Sequence, residues 1–262
     1  MFVSERYRRL SAILTRKYDL TPDSDLGWLV GVILGDGYIW RMQSGGYVIG
    51  LDTPEVYYAD LFGSTMAKRF PGLWVKRYFR RRNRLMNGRE FVEEVYTIRA
   101  VSRFLYDFLR PHKKQDFHWT IPSSIRTSRA CTRGFLQGIF DAEGGVQKSG
   151  PSICLTSKHR SNLSPVRGLL QEFGIESRLY RDYNCTRLFI SRRKVMVLFG
   201  IEIGFRLPRK QQLLIDLTRG DAPPRARGTT GQFRKRTGSY GLIDKSMRQI
   251  YVLNGENSSS GY

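Results

Sequence analysis

Two acidic residues, Asp36 and Glu143, occupy the same place in two similar stretches of the sequence. Each lies next to the end of an apolar run, at residues 26–37 in one case and 133–144 in the other, and the two runs align when the first is shifted by 107 positions. Two carboxylates at equivalent positions can hold a divalent cation between them, because hard cations prefer oxygen ligands. The repeat therefore predicts a paired acidic site.

Small residues recur at every fourth position of both runs: Gly27, Gly31 and Gly35 in the first, Gly134, Gly138 and Ala142 in the second. A spacing of four places them on one face of a helix. Glycine costs about 1 kcal/mol relative to alanine inside a helix, so its recurrence indicates a compensating close approach of two backbones. We predict two helices packed through these faces, which brings Asp36 and Glu143 together at their C-terminal ends.

The end of a helix is an unfavourable place for an acid, because it already carries partial negative charge. A cation between Asp36 and Glu143 would relieve this repulsion, with the backbone oxygens of Gly35 and Ala142 as further ligands. Without Cys or His in the set, the ion is expected to be Mg²⁺, with Mn²⁺ or Ca²⁺ able to substitute. Gly37 and Gly144, which follow the acids, suit a left-handed helix cap. The alternative is that both acids are exposed and merely end buried helices.

The chain has a large excess of basic residues. Its 262 residues include 44 Lys and Arg against 23 Asp and Glu, a formal net charge of +21, and 40% are hydrophobic. A folded domain this positive favours a polyanionic partner, most simply nucleic acid. No apolar run is long enough to span a membrane. Three cysteines without a CxxC pair indicate a reducing, intracellular setting, cytoplasmic or nucleoid-associated, with an organelle left open.

The segments after each apolar run also repeat, so that each half, with the run as its first helix, reads helix, two strands, helix, two strands, helix. We predict an α+β fold of two pseudo-twofold-related αββαββα halves, each with a four-stranded antiparallel saddle, joined by the packed helices. The expected divisions are an N-terminal extension (1–25), the first half (26–115), a linker (116–132), the second half (133–212) and a basic C-terminal extension (213–262).

The strands carry basic and polar residues at alternate positions, as expected if one sheet face meets DNA. A basic β-ribbon can lie in the major groove, where Arg and Lys reach phosphates and guanine edges. The candidate DNA-binding residues of the first half are Arg41, Gln43, Tyr47, Arg77, Tyr78, Arg80 and Arg82. Those of the second half are Gln147, Lys148, Arg178, Tyr180, Arg181, Arg187 and Arg192.

Each half also ends on a similar phrase, RPHKKQ at 110–115 and RLPRKQ at 206–211. The recurring lysines, Lys114 and Lys210, could place one ammonium near each scissile phosphate. A solvated surface lysine is the alternative for either residue.

The two apolar runs resemble the paired signature of LAGLIDADG homing endonucleases. LVGVILGDG at 29–37 has a leucine where the motif's first aspartate stands, and LQGIFDAEG at 136–144 fits more closely. The resemblance covers about residues 26–213, and two copies in one chain are similar to the monomeric members. It implies that Asp36 and Glu143 bind catalytic metals, with backbone oxygens of Gly35 and Ala142 contributing. It also implies assisting basic residues, for which Lys114, Lys210 and Lys158 are candidates.

The function implied is site-specific cleavage of double-stranded DNA, one phosphodiester per strand, leaving short 3′ overhangs. We expect a monomer on a long, non-palindromic target, because the halves differ in sequence. A nucleotide cofactor is not expected, since no GxxxxGK loop is present. The main alternative is an RNA-splicing maturase or a non-cleaving DNA-binding protein on the same scaffold; a basic structural RNA-binding protein is a third.

Overall fold

The computed structural model describes residues 16–219, apart from residues 44, 87, 115 and 149, and without side-chain detail at 82, 84, 86 and 89. The basic segment at 220–262, most of the predicted C-terminal extension, lies outside the described residues. No helix within the described part is long and apolar enough to cross a membrane.

The first half consists of three helices and one antiparallel sheet with strand order β1-β2-β4-β3. Its elements are α1 (Ser24–Leu34), β1 (Gly37–Arg41), β2 (Tyr47–Thr53), α2 (Val56–Arg69), β3 (Val75–Met86), β4 (Arg89–Val101) and α3 (Arg103–Leu109). The carboxylate of Asp23 accepts the backbone N–H of Leu26 at 2.7 Å, which fixes the start of α1.

The second half repeats this order, with a sheet of order β5-β6-β8-β7. Its elements are α4 (Arg129–Glu143), β5 (Gly144–Gln147), β6 (Ser152–Ser157), α5 (Arg160–Glu172), β7 (Arg178–Asp182), β8 (Cys185–Ile190) and α6 (Arg193–Glu202), followed by α7 (Pro208–Arg219). The predicted α+β fold of two αββαββα halves is confirmed. The halves differ most in β3 and β4, which have 12 and 13 residues against 5 and 6 in β7 and β8.

Three predicted divisions of the chain fall close to or inside helices. α1 begins at Ser24 and α4 at Arg129, because the capping residues Asp23 and Ser128 lie upstream of the glycine pattern. α7 runs across the division expected at residue 212, since it buries Leu214 and Leu217 against the core.

Helices α1 and α4 pack against each other backbone to backbone. Every residue of α1 from Leu26 to Leu34 is buried. A Cβ added at Gly27 or Gly31 would collide with a carbonyl oxygen of α4, and one added at Gly134 or Gly138 would collide with a carbonyl oxygen of α1. The structure therefore places all four glycines where only a hydrogen atom fits between the helices.

The remaining helices cover one face of each sheet. Ile49 and Leu51 of β2 and Ile98 of β4 point into this core, and Leu155 and Leu188 do the same in the second half. Since side chains alternate along a strand, the neighbouring positions point the other way. We call the sheet surface away from the helices the open face.

Gly37 and Gly144 do not form the left-handed caps expected from the sequence. Neither has a positive φ; Gly144 is extended, with φ −88° and ψ 159°. Crowding requires glycine at both positions instead. A Cβ on Gly37 would lie 2.6 Å from Cα of Ile33, and a Cβ on Gly144 would lie 2.5 Å from the carbonyl oxygen of Phe140. The chain passes directly from helix into strand at Gly144, whereas Gly35 and Asp36 form a turn between α1 and β1.

Replacing Gly138 with alanine should lower the free energy of unfolding by more than about 2 kcal/mol, because the new methyl group would meet the backbone of Trp28 and α1 would have to move. Gly168→Ala is the matched control. Gly168 lies in α5 with open space around its Cβ position, so alanine should stabilise the protein by up to about 1 kcal/mol. Urea denaturation of both variants measures the difference, and equal effects would contradict the backbone contact.

Candidate active site

Asp36 and Glu143 lie side by side at the adjoining ends of α1 and α4. Glu143 is the last residue of α4, and Asp36 follows Gly35, the residue that ends α1. A Cβ built on Gly35 would lie 2.6 Å from Cβ of Ala142 and 3.2 Å from Cγ of Glu143. The glycine contact thus continues to the helix ends, and this continuation brings the two predicted carboxylates together.

The surroundings of the two carboxylates favour their neutral forms. Both side chains reach solvent, yet the protein around them desolvates them and raises the pKa of each. The negative charge of Asp36 raises the pKa of Glu143 further. This mutual repulsion is the response expected of two acids held near one point, and a bound cation would reverse it.

Two half-buried lysines, Lys113 and Lys210, flank the carboxylates. Nζ of Lys113 donates to the carbonyl oxygens of Leu34 at 2.9 Å and Gly35 at 3.3 Å. Nζ of Lys210 donates to those of Asp141 at 2.5 Å and Gly144 at 2.6 Å. Burial lowers the pKa of both lysines, to about 8 for Lys113, while the nearby carboxylates oppose the shift.

The structure places Lys210 at the site as predicted, but it places Lys113 there rather than Lys114. Lys114 is exposed, and its backbone N–H pairs with the carbonyl of His118 in a short ribbon. The repeated phrase aligned Lys114 with Lys210, yet Lys210 lies in the first turn of α7, whereas Lys113 and Lys114 follow a turn and pair with residues 118–119. This change of local structure shifts the correspondence by one residue.

The residues at the helix ends fit a divalent cation only in part. Within the described residues, no group of three His, Cys, Asp or Glu side chains could hold a metal. Asp36 and Glu143 would supply two hard oxygen ligands, and water and substrate phosphate would have to complete the shell. Mg²⁺ is commonly bound in this way, through one or two carboxylates plus phosphate. Gly35 and Ala142 lie beside the acids, and the Gly35 carbonyl already accepts Lys113.

One buried acid beside the site was not singled out from the sequence. Asp141 is 1% exposed and accepts hydrogen bonds from Nε1 of Trp28 at 2.8 Å and from the backbone N–H groups of Arg206 at 3.2 Å and Leu207 at 3.3 Å. Burial raises its pKa to about 6 against these bonds. The signal was present in the sequence, since Asp141 stands where the first run has Leu34.

Many of the predicted DNA-binding side chains lie on the open faces. Strand pairing places Tyr78 opposite Thr97 and Tyr180 opposite Arg187, away from the core positions Ile98 and Leu188. The open-face candidates are Tyr78, Arg80, Gln147, Arg178, Tyr180 and Arg187. Gln43, Lys148 and Lys158 lie at or beyond strand ends and are exposed, and Arg82 is described only as a residue of β3.

Four candidates point to the helix side instead. Arg77 forms an ion pair with Asp60 of α2 at 2.5 Å. Arg41 stacks on Tyr47, whose ring lies 5.0 Å from that of Tyr106 in α3. Arg181 shares its side of β7 with Leu179, which packs on the core. The sequence did not show which of these basic residues face the helices and which lie on the open face. Side chains alternate along a strand, but the pairing with the neighbouring strand decides which alternate set points inward.

Other features distinguish the remaining candidates. Arg192 precedes α6 and pairs with Glu176 at 2.9 Å. Nζ of Lys158 lies 5.0 Å from the centre of the Phe117 ring, beside a cavity of about 280 Å³ that Glu143 also lines. The open face also carries residues not selected from the sequence, namely Trp40, Lys76 and Arg99.

Replacing Glu143 with glutamine should stabilise the metal-free protein above about pH 4.3, the ordinary pKa of glutamate. The pKa of Glu143 is raised on folding, so the folded protein holds the proton more tightly than the unfolded chain. Ionisation therefore costs stability, progressively between the unfolded and folded pKa values and fully above both.

We expect Glu143→Gln to unfold at a higher temperature than the unmodified protein at pH 8 in chelator, with the gain vanishing near pH 4. Glu172→Gln, which removes an exposed ion pair with Arg126, is the control and should give no such gain. A lower unfolding temperature for Glu143→Gln than for the unmodified protein at pH 8 would mean that the charge of Glu143 is not disfavoured at this site.

Comparison with known proteins gives matches of different extent. Residues 130–204 match the family of LAGLIDADG-like domains. Elongation factor 2 of Methanopyrus kandleri is 26% identical over 201 residues, which cover 76% of this chain but 14% of that protein. An uncharacterized protein of Methanocaldococcus jannaschii is 25% identical over 219 residues, covering 76% of this chain and 73% of that one. The chain thus spans only a small part of the elongation factor.

Solved structures share the fold at low sequence identity. The homing endonuclease I-WcaI, bound to its DNA recognition sequence, superposes with a TM-score of 0.60 at 14% identity, covering 81% of this chain and 94% of that one. Mesophilic variants of the homing endonuclease I-DmoI give a TM-score of 0.51 at 17% identity, covering 74% and 98%. The chain therefore has the fold of the monomeric LAGLIDADG homing endonucleases, and its second half contains a LAGLIDADG-like domain.

Proposed function

We propose that this protein is a site-specific DNA endonuclease that uses divalent metal to hydrolyse one phosphodiester in each strand of a duplex. The observation that carries the proposal is the pair of carboxylates, Asp36 and Glu143, held side by side at the ends of two packed helices. Each has a half-buried lysine beside it, Lys113 or Lys210. The protein has a net charge of +21, which favours a polyanionic partner. Two acids that face such a partner would weaken binding unless a cation lay between them.

The two open faces supply the surface for the duplex. Tyr78 and Arg80 in one sheet, and Arg178, Tyr180 and Arg187 in the other, combine charge for phosphates with planar groups for base edges. The halves differ in sequence, so the proposed target is long and non-palindromic, and one chain supplies both halves as a monomer.

Asp36 and Glu143 would bind the cation, for which Mg²⁺ is the proposed ion. When bound, such a cation lowers the pKa of water and stabilises charge on the phosphate that is attacked. The carboxylates would hold it at the adjoining ends of α1 and α4. Lys113 and Lys210, held by backbone carbonyls, offer positive charge to either side, one for each strand.

The proposal has support from relatives. Structures of I-DmoI hold DNA together with Ca²⁺, and a variant was studied with its target DNA in the presence of Mg²⁺, at TM-scores of 0.51 and 0.50 to this chain. Segments similar to this chain make up 14% of an elongation factor and 18% of an aminotransferase, proteins of unrelated function. A mobile genetic element would produce this distribution, so we extend the proposal to homing. We also propose that cleavage leaves a short 3′ overhang. A non-cleaving binder is less favoured because both carboxylates are retained.

Cleavage of DNA should require both carboxylates. With Mg²⁺ and a target selected by cleavage from a randomised duplex library, Asp36→Asn and Glu143→Gln should each slow cutting by at least about a hundredfold, the scale of removing one group that stabilises transition-state charge. Binding measured in Ca²⁺ should persist in both variants, and Glu172→Gln should cut normally. Binding without cutting by the unmodified protein would favour the non-cleaving alternative.

The open face of β3 should contribute to the salt dependence of DNA binding. Lys76→Ala should reduce the slope of log affinity against log salt by about one unit, because one phosphate contact is lost. Arg77→Ala is the matched control, since the neighbouring side chain pairs with Asp60 on the helix side and its loss should leave the slope unchanged. Titration of the target between 50 and 200 mM salt, by fluorescence anisotropy, measures both slopes. A larger change in slope for Arg77→Ala than for Lys76→Ala would place the duplex on the helix side of the sheet.

A further inference from the structure

The two halves hold their lysines by different means. Leu34 and Asp141 occupy equivalent positions in α1 and α4, and both are 1% exposed. One half thus buries an apolar side chain where the other buries a carboxylate. A buried carboxylate is costly unless hydrogen bonds satisfy it, so the difference must be compensated by specific contacts.

Both oxygens of the Asp141 carboxylate are occupied. Oδ2 accepts from Nε1 of Trp28 at 2.8 Å and from the backbone N–H of Arg206 at 3.2 Å, and Oδ1 accepts from the N–H of Leu207 at 3.3 Å. Trp28 belongs to the helix of the first half, whereas residues 206–207 form the turn that leads into α7. Asp141 therefore fastens this turn to both helices of the central pair.

The same turn carries Lys210. The carbonyl of Leu207 accepts the backbone N–H of Lys210 at 3.1 Å, so the position of Leu207 sets the start of α7. Nζ of Lys210 then reaches back to the carbonyl oxygen of Asp141 at 2.5 Å. Three hydrogen bonds form a closed circuit, from the Asp141 carboxylate through Leu207 and Lys210 back to the Asp141 backbone.

Lys113 has no such circuit among the described residues, because Leu34 offers only its carbonyl. The backbone around Lys113 is held by a ribbon instead: Lys113 bridges to Trp119, and the N–H of Thr120 donates to the carbonyl of His112 at 2.9 Å. Its position therefore depends on residues 112–114 and 116–120, which the Asp141 carboxylate does not contact in the hydrogen bonds described above.

We propose that Asp141 is a positioning residue for Lys210 alone, so that it governs cleavage of one DNA strand and not of the other. The predicted effect of Asp141 on the two DNA strands rests on the proposed endonuclease function. Its predicted effect on the position of Lys210 does not. It predicts that the two cuts can be separated by a substitution that touches neither a proposed metal ligand nor a lysine.

The first test measures the lysines without DNA. In Asp141→Asn, which keeps the size of the side chain but loses one acceptor, reductive methylation followed by mass spectrometry should show Lys210 reacting several times faster, with Lys113 unchanged. Equal rates for Lys210 in the two proteins would overturn the inference whatever the protein does to DNA.

The second test follows the strands separately. On a duplex of the selected target, with a different fluorophore on each strand, Asp141→Asn should slow one strand by about tenfold or more, the scale at which loss of a positioned charge is felt. Lys210→Met should slow the same strand and Lys113→Met the other, so nicked circles should accumulate on a supercoiled plasmid. Equal slowing of both strands by Asp141→Asn, or no slowing, would contradict the proposal.

Asp25→Asn separates strand selectivity from general loosening of the helix pair. It removes the ion pair between Asp25 and Arg206 at 2.9 Å, which joins the same turn to α1, but it leaves the Asp141–Leu207 bond in place. We expect a lower unfolding temperature with an unchanged ratio of strand rates. A changed ratio would assign the effect to the turn as a whole. Failure of the unmodified protein to cut any selected target would refute the proposed function, whereas the methylation test would still judge Asp141.

Discussion

The close contact between the backbones of α1 and α4 is the constraint on which the rest of the structure depends. Four glycines leave no room for a methyl group between the helices, and the contact extends to Gly35 and Ala142 at their ends. Since the helices cannot separate there, the residues that follow must share one small volume. Two carboxylates are thereby held close together although the surrounding protein raises the pKa of each, and this pairing is the chemical basis of the proposed activity.

The halves are related by sequence repetition but are supported differently. On one side Asp141 ties a turn and a helix start to the central pair, and on the other an extended ribbon does this work next to Leu34. The backbone carbonyls that receive the two ammonium groups are nonetheless equivalent, Leu34 and Asp141. Equivalent end points reached by different supports show that the geometry of the lysines is maintained while the sequence around them has diverged.

Much of the site followed from the sequence because helical spacing is rigid. A four-residue period determines which side of α1 Gly27 and Gly31 occupy, so the meeting of Asp36 and Glu143 could be predicted. Matching the two phrases failed at Lys114, because the first half reaches the site through a turn and a short bridge, whereas the second half reaches it through the first turn of α7. The sequence also failed to separate Arg77 from Arg80, since alternation alone does not say which set faces α2. That choice is made by Ile98 and Ala100 on the neighbouring strand.

The unequal strand lengths give the molecule a direction. At about 3.3 Å per residue, the 12 residues of β3 extend roughly 40 Å, against about 17 Å for the 5 residues of β7. Along B-form DNA, with about 3.4 Å between base pairs, the difference corresponds to about seven base pairs. A duplex lying on the open faces would be gripped further out on one flank than on the other. The cleavage site would then lie off the centre of the DNA segment that the protein covers. Reversing the orientation of the target would place the flank contacted by the long strands under the short ones.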